Sequence, residues 1–258
     1  MSETKFEFPT EVVELPSKGL VYPEDNPLSS GQIEMKYMTA KEEDILSNQN
    51  YIEKGIVIDK LLQSLIVSDV DYKDLIIGDK NAIVIAARIL GYGKDYKFKI
   101  GEEEFTADLT SLENKKLDES LYTKGVNEFQ YTLPNSKNTI TFKLLSHKDE
   151  IAIENELRGL KKVSKSNIPE LSTKLKYIIT SVNGDTENST VRKFVDNFLL
   201  AMDSRALRNY MRDMQPDINL TTAVKDIEGE EFTMDIPFTV NFFWPDSEFQ
   251  IPFIYSNT

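Results

Sequence analysis

Cysteine is absent from the 258 residues, which excludes disulfide frameworks, thiolate nucleophiles and Cys-ligated zinc or iron–sulfur clusters in one stroke. Histidine occurs once, at His147. A catalytic zinc site with two or three imidazoles is therefore out of reach, and a serine triad would have to be built on that single ring. Long apolar runs are missing too. The greasiest stretches, residues 56–67 and 82–90, are interrupted by Asp59, Lys60, Gln63 and Arg88, well short of the ~20 apolar residues that cross a bilayer. Residues 1–9 carry Glu3, Lys5 and Glu7 and no apolar segment, so the expectation is no signal peptide, no membrane partner and a cytoplasmic chain. Positive charge is in deficit: 43 acidic residues against 30 basic ones give a net charge of −13. DNA affinity comes chiefly from Lys and Arg releasing phosphate counterions, so nucleic acid is not an expected partner. The local basic run at 161–165 reads as a solvated helix end.

What is present reads as an ordinary globular composition, 40% hydrophobic and 10% aromatic, enough for a sizeable core. The first 34 residues read as an extended arm, because Leu15-Pro-Ser-Lys-Gly-Leu-Val-Tyr-Pro23 carries two prolines and a glycine that prohibit a regular helix. Ile33, Met35 and Tyr37 alternate as a strand. Thr39-Ala-Lys-Glu42 is a capping box opening a helix to about Asn48. Over 52–67, Ile58, Leu61, Leu62, Leu65 and Ile66 form one apolar stripe of an amphipathic helix. A further helix over 80–90 starts at Gly78-Asp79 and closes at Gly91-Tyr-Gly93.

From Lys94 the period changes to two. Tyr96, Phe98 and Ile100 turn at Gly101-Glu-Glu103 and return through Phe105, Ala107 and Leu109, a β-hairpin. Phe129, Tyr131 and Leu133 pair similarly with Ile140 and Phe142. Helices are expected from Ser146, over 169–182, 190–200 and 204–214, and the tail from Leu220 is β-rich and aromatic. The expected fold is α+β: helical modules interleaved with antiparallel hairpins, divided into an arm (1–34), a first module (35–145) and a second module (146–258). Gly101-Glu-Glu-Glu-Phe-Thr-Ala-Asp-Leu109 is echoed by Gly229-Glu-Glu-Phe-Thr-Met-Asp-Ile236. This fits either pseudo-duplicated halves or the coincidence of a common turn.

No motif assembles a chemistry. Glu42-Glu-Asp44 and Glu102-Glu-Glu104 are consecutive carboxylates that point different ways, not a pair facing across a cleft. Gly91-Tyr-Gly-Lys94 sits at a helix C-terminus, where the dipole repels phosphate. Asp69-Val-Asp71 with Asp74 lacks the glycine and final glutamate of an EF-hand loop. His147 reads as an unremarked first-turn residue. The expectation is a non-enzyme with no cofactor, no metal and no small-molecule substrate. A hydrolase built on scattered carboxylates is the alternative from another class, and it predicts acidic residues converging in a deep pocket.

Four stretches together resemble a known family: Leu15-Pro-Ser-Lys-Gly-Leu-Val-Tyr-Pro23; Met35-Lys-Tyr-Met-Thr-Ala-Lys-Glu-Glu-Asp-Ile-Leu46; Asp79-Lys-Asn-Ala-Ile-Val-Ile-Ala-Ala-Arg-Ile-Leu-Gly-Tyr-Gly93; and Asn241-Phe-Phe-Trp-Pro245. The chain looks like the baseplate hub and hub-assembly proteins of T-even-type bacteriophages, most strongly over 12–95. The resemblance implies a structural or assembly component of a contractile tail that acts through other hub or tape-measure proteins. Such a chain is made in the host cytoplasm and retained in the virion baseplate if it is a subunit. A transient tail-assembly chaperone bound to the tape measure is the alternative. The family pattern also implies Cys-x-x-Cys zinc knuckles in the hairpins at 97–109 and 226–238. Here those turns are Gly-Glu-Glu, so zinc does not carry over and the hairpins read as vestigial knuckles. Leu15, Pro16, Leu20, Tyr22 and Pro23 in the arm, and Phe242, Phe243, Trp244 and Pro245 in the tail, are the candidate partner-interface residues, aromatics being typical anchors. If the arm is an appendage, deleting 1–24 leaves the far-UV CD nearly unchanged.

Overall fold

The computed structural model describes residues 8–163, 168–238 and 240–244. The fold is α+β. Strand β1 (Thr10–Glu14) pairs antiparallel with β2 (Gln32–Lys36), with Val13 opposite Ile33. Helix α1 (Ala40–Leu46) follows Thr39, whose backbone N–H and hydroxyl both donate to the Glu42 carboxylate at 3.0 and 2.7 Å.

The helix expected over 52–67 is two helices. Gly55 takes φ +68°, so α2 (Gln49–Glu53) ends there and α3 (Val57–Leu65) begins afresh. The α3 stripe is as the spacing requires: Ile58, Leu61, Leu62 and Leu65 are buried, each contributing roughly 1.5–3 kcal/mol of apolar burial. Helix α4 (Ile77–Tyr92) begins a turn earlier than expected and stops where Gly93 turns to φ +80°.

Two hairpins merge into one four-stranded sheet. β3 (Asp95–Ile100) pairs with β4 (Glu103–Asp108), β10 (Thr221–Asp226) pairs with β11 (Glu231–Asp235), and β4 pairs with β10, giving the order β11-β10-β4-β3. Both Gly-Glu-Glu turns therefore lie at the same end of the sheet. The hairpins join through the second strand of one and the first of the other, the order of a meander rather than of two equivalent edges facing each other. Phe105 is buried while Phe232, its counterpart in the echo, is 46% exposed.

β5 (Glu113–Asn114) pairs with β9 (Ile218–Asn219), and β6 (Phe129–Thr132), β7 (Thr139–Phe142) and β8 (Ile179–Val182) form a three-stranded sheet. The helix expected over 169–182 stops early: α6 is Glu170–Ile178, and Ile179-Thr-Ser-Val182, with three β-branched residues of four, pairs with β7 instead. β4–β10, β5–β9 and β7–β8 all cross the expected module boundary at 145/146, so the two segments share one hydrophobic core.

Helices α5 (His147–Val163), α7 (Asn188–Asn197) and α8 (Ala201–Met214) and five short 3-10 turns, the last at Val240–Phe242, complete the elements among the described residues. Among the described residues no helix is long and apolar enough to cross a membrane. Asp203, in the first turn of α8, accepts from the backbone N–H groups of Asn135 and Ser136 at 2.8 and 2.9 Å and pins the β6–β7 turn. Burial pushes its pKa up, but these hydrogen bonds outweigh it and hold it at about 2. Asp203→Ala strands two backbone donors, and thermal denaturation is expected to show a loss of about 2 kcal/mol.

Candidate functional site

The first stretch of the resemblance is held in place by one buried carboxylate. A tight turn at Lys18 (φ +51°) and Gly19 (φ +76°) brings Ser17 and Tyr22 onto the same side. Gly19 is required there, because a Cβ would sit 2.3 Å from the Ser29 carbonyl oxygen. Asp79, in the first turn of α4 and fully buried, accepts from Ser17 N–H at 2.9 Å, Ser17 Oγ–H at 2.7 Å and Tyr22 O–H at 2.6 Å. The Tyr22 oxygen accepts in turn from Ile76 N–H at 3.0 Å. Burial pushes the Asp79 pKa up against the pull of these donors, and burial beside Asp79 also raises that of Tyr22. A negative charge in the first turn of a helix suits its dipole.

Glu42 is a second buried anchor. Its carboxylate receives Lys36 Nζ at 2.8 Å and Ser64 Oγ–H at 2.7 Å besides Thr39. Burial raises its pKa, but the hydrogen bonds win and bring it to about 2. A folded-state pKa below the unfolded value near 4.5 means that the stabilisation is present above that pH and is lost as pH falls toward 2. Denaturant titrations from pH 5 to 2 should show the native chain losing on the order of 3 kcal/mol more than Glu42→Gln over that window.

The third cluster opens to a cleft. Lys80 of α4, with its side chain only 8% exposed, points its ammonium at Asp59 Oδ1 of α3 (3.0 Å), Glu150 Oε2 of α5 (3.1 Å) and His147 Nδ1 (3.2 Å). Tyr72 donates to Asp59 at 2.8 Å and packs its ring edgewise on His147 with centroids 4.7 Å apart. His147 Nδ1 also lies 3.2 Å from Glu150 Oε2. The ring nitrogen therefore either accepts from the ammonium or donates to the carboxylate, never both at once. Burial raises the Glu150 pKa, yet the hydrogen bonds and charges of His147 and Lys80 more than offset it and hold it low. The cluster floors a cleft of about 800 Å³, walled by Ile52, Ile56, Ile151, Arg158 and Trp244. The ammonium engages one oxygen of each carboxylate, so the arrangement works as an ionic clamp joining α3, α4 and α5. Among the described residues no group of three or more metal-ligating side chains forms a metal site.

The clamp is what sequence reasoning missed. His147 is no unremarked first-turn residue: it is buried between two carboxylates and a lysine. One signal was available, since Lys80 lies on the stripe of Ile83 and Ala87, three and seven residues on, where a solvated lysine does not belong.

The expected interface residues mostly face inward. Leu15, Pro16 and Tyr22 are buried, Leu20 is half-buried and only Pro23 is exposed. The extended segment is tolerated inside because its polar groups are met by Asp79, Gly31 O and one another. Residues 10–34 thus hold β1 and most of β2 and contribute to the core, and deleting 1–24 removes β1, Ser17 and Tyr22 and disturbs the fold rather than an appendage. At the other end, Phe242 and Phe243 are both 2% exposed. A helical turn replaces the expected strand, so consecutive rings are not sent to opposite faces, and Phe242 packs edgewise on Tyr96 at 5.0 Å. Trp244 is half-buried and donates to Leu46 O at 3.2 Å. Pro245 and the rest of the aromatic tail lie outside the described residues.

No protein-family model, curated protein or solved structure matches the chain.

Proposed function

We propose that this chain is a structural or assembly component of the baseplate hub of a contractile phage tail, and that it works by contact with other hub or tape-measure proteins. The observation that carries the reading is that the four stretches of the resemblance meet one another in space. Ser17 and Tyr22 of the first bind Asp79 at the start of the third. Met38 of the second lies so close to the third that a Cβ on Gly91 would sit 2.4 Å from its sulfur. Trp244 of the fourth caps the second at Leu46. Residues scattered over the chain yet joined in one core are placed as a shared architecture would have them.

These residues are spent on holding the fold, so contacts with partners fall to the outer surface. The ionic clamp fits the same role, since it fastens three helices and leaves its carboxylates engaged by Lys80. Mass spectrometry of purified contractile-tailed particles, beside a deletion of the gene, tests the proposal. A chain present in the particle is a retained subunit, and one absent but required for tails is an assembly factor. Particles that form normally without it overturn the reading.

A further inference from the structure

The corner between α7 and α8 exposes a continuous apolar run. Phe198, Leu200 and Met202 are 58%, 49% and 69% exposed, and they border a groove of about 470 Å³ lined by Leu171, Leu175, Val195, Leu199 and Ala201. From Ala201 the same stripe of α8 continues through Arg205, Arg208 and Arg212, spaced four, three and four residues apart and all exposed. In a chain with 13 excess negative charges, three arginines beside an apolar groove form a local field of the opposite sign. Among the described residues neither Arg205 nor Arg208 takes part in an ion pair, and Arg212 meets only its neighbour Asp213, at 3.4 Å in the open.

The matching shape lies elsewhere on the same molecule. At the tip of the β10–β11 hairpin Ile227 is 81% exposed, and Asp226, Glu228 and Glu230 surround it in sequence. The tip is shaped internally: Asp226 accepts from Glu228 N–H and Glu230 N–H, both at 2.9 Å, and Gly229 turns at φ +87°. It is a single exposed apolar side chain on a built turn, with the carboxylates of Glu228 and Glu230 close to it in sequence. The groove is a largely apolar socket, with Glu170 and Ser172 at one side and the arginines of α8 continuing from the other.

We infer that the α7–α8 groove receives the β10–β11 tip of a second copy of this chain, with Ile227 in the socket and its flanking carboxylates on Arg205 and Arg208. Knob and socket are different surfaces, so the contact is head-to-tail, and repetition gives a closed ring or an open filament according to the rotation per step. The patch is small, so the association is weak and sensitive to salt. This goes beyond the baseplate reading and does not depend on it.

Sedimentation of the purified chain over a range of concentrations, with charge reversal and mixing, tests the inference. The native chain should associate reversibly at high concentration and less so in high salt. Arg205→Glu/Arg208→Glu and, separately, Glu228→Arg/Glu230→Arg should each weaken association at least tenfold while the far-UV CD stays native. Mixing the two variants should restore a heterodimer, because each supplies the face that the other reverses. Three results would overturn the inference: a monomer at every concentration, association unaffected by both reversals, or no recovery on mixing. Panning a random linear peptide library against the chain covers the remaining occupant. Acid-rich apolar peptides that bind a monomeric chain and are lost with Arg205→Glu/Arg208→Glu would assign the groove to another protein and also overturn it.

Discussion

Asp79→Ala is expected to cost about 4 kcal/mol, seen as a lower denaturation midpoint with an unchanged slope. The side chain is fully buried and takes three hydrogen bonds, from Ser17 N–H, Ser17 Oγ–H and Tyr22 O–H. Truncation leaves all three donors unmet in a site that water does not reach, and removing one side of such a network costs more than the network is worth. Tyr22→Phe gives the scale. It keeps both Ser17 bonds, strands only Ile76 N–H, and should cost about 1–2 kcal/mol. Asp79→Asn should fall between them, since the amide still accepts on one oxygen and both hydroxyls can rotate to meet its NH2. An Asp79→Ala loss below that of Tyr22→Phe would mean that the loop is held by its apolar contacts alone.

Gly78→Ala should be nearly as damaging, although helix propensity predicts the opposite sign. Gly78 is the second residue of α4, and in an open helix alanine there would gain up to about 1 kcal/mol. Its backbone, however, abuts the segment entering β9: a Cβ would lie 1.8 Å from the Pro216 carbonyl oxygen and 3.3 Å from Asp217 Cα. Both obstacles are backbone, so relief requires moving the start of α4. That shift disturbs the Asn81–Asp217 hydrogen bond (2.9 Å) and the Asp79 pocket one residue on. The expected net loss is about 3 kcal/mol by thermal denaturation. Gly159→Ala is the control, because Gly159 is an exposed position inside α5 where a Cβ meets nothing within 4 Å. It should be stabilising by up to about 1 kcal/mol.

Much of the fold was legible because its signals are local. The α3 stripe, the capping box at Thr39 and the alternation of β3 and β4 each declare themselves within ten or so residues. β8 did not, for an instructive reason. Leu175, Ile178, Ile179 and Val182 keep helical spacing straight through the end of α6, and only the pairing of Ile140 with Val182, distant in sequence, makes the last four residues a strand. Gly55 gives no stronger signal, because a lone glycine inside a helical pattern is tolerated at a cost of only about 1 kcal/mol.

The interior sites show the same divide. Proline and glycine in residues 15–23 rightly excluded a helix, but lack of regular structure is not exposure: Ser17 and Tyr22 are drawn inward by Asp79, more than fifty residues away. The clamp gathers Asp59, Tyr72, Lys80, His147 and Glu150 from three helices and a turn. Apart from the misplaced lysine, nothing along the chain announces it.

The clamp also separates the account from its catalytic rival most directly. A hydrolase would need His147 or Glu150 to move protons, whereas a protein that works by contact needs them only to keep three helices together. The decisive measurement is a count of contractile tails by electron microscopy when a chain carrying His147→Gln and Glu150→Gln, folded by far-UV CD, replaces the native one during assembly. Contact alone predicts tails in native numbers. A folded, soluble double variant that yields no tails would contradict it.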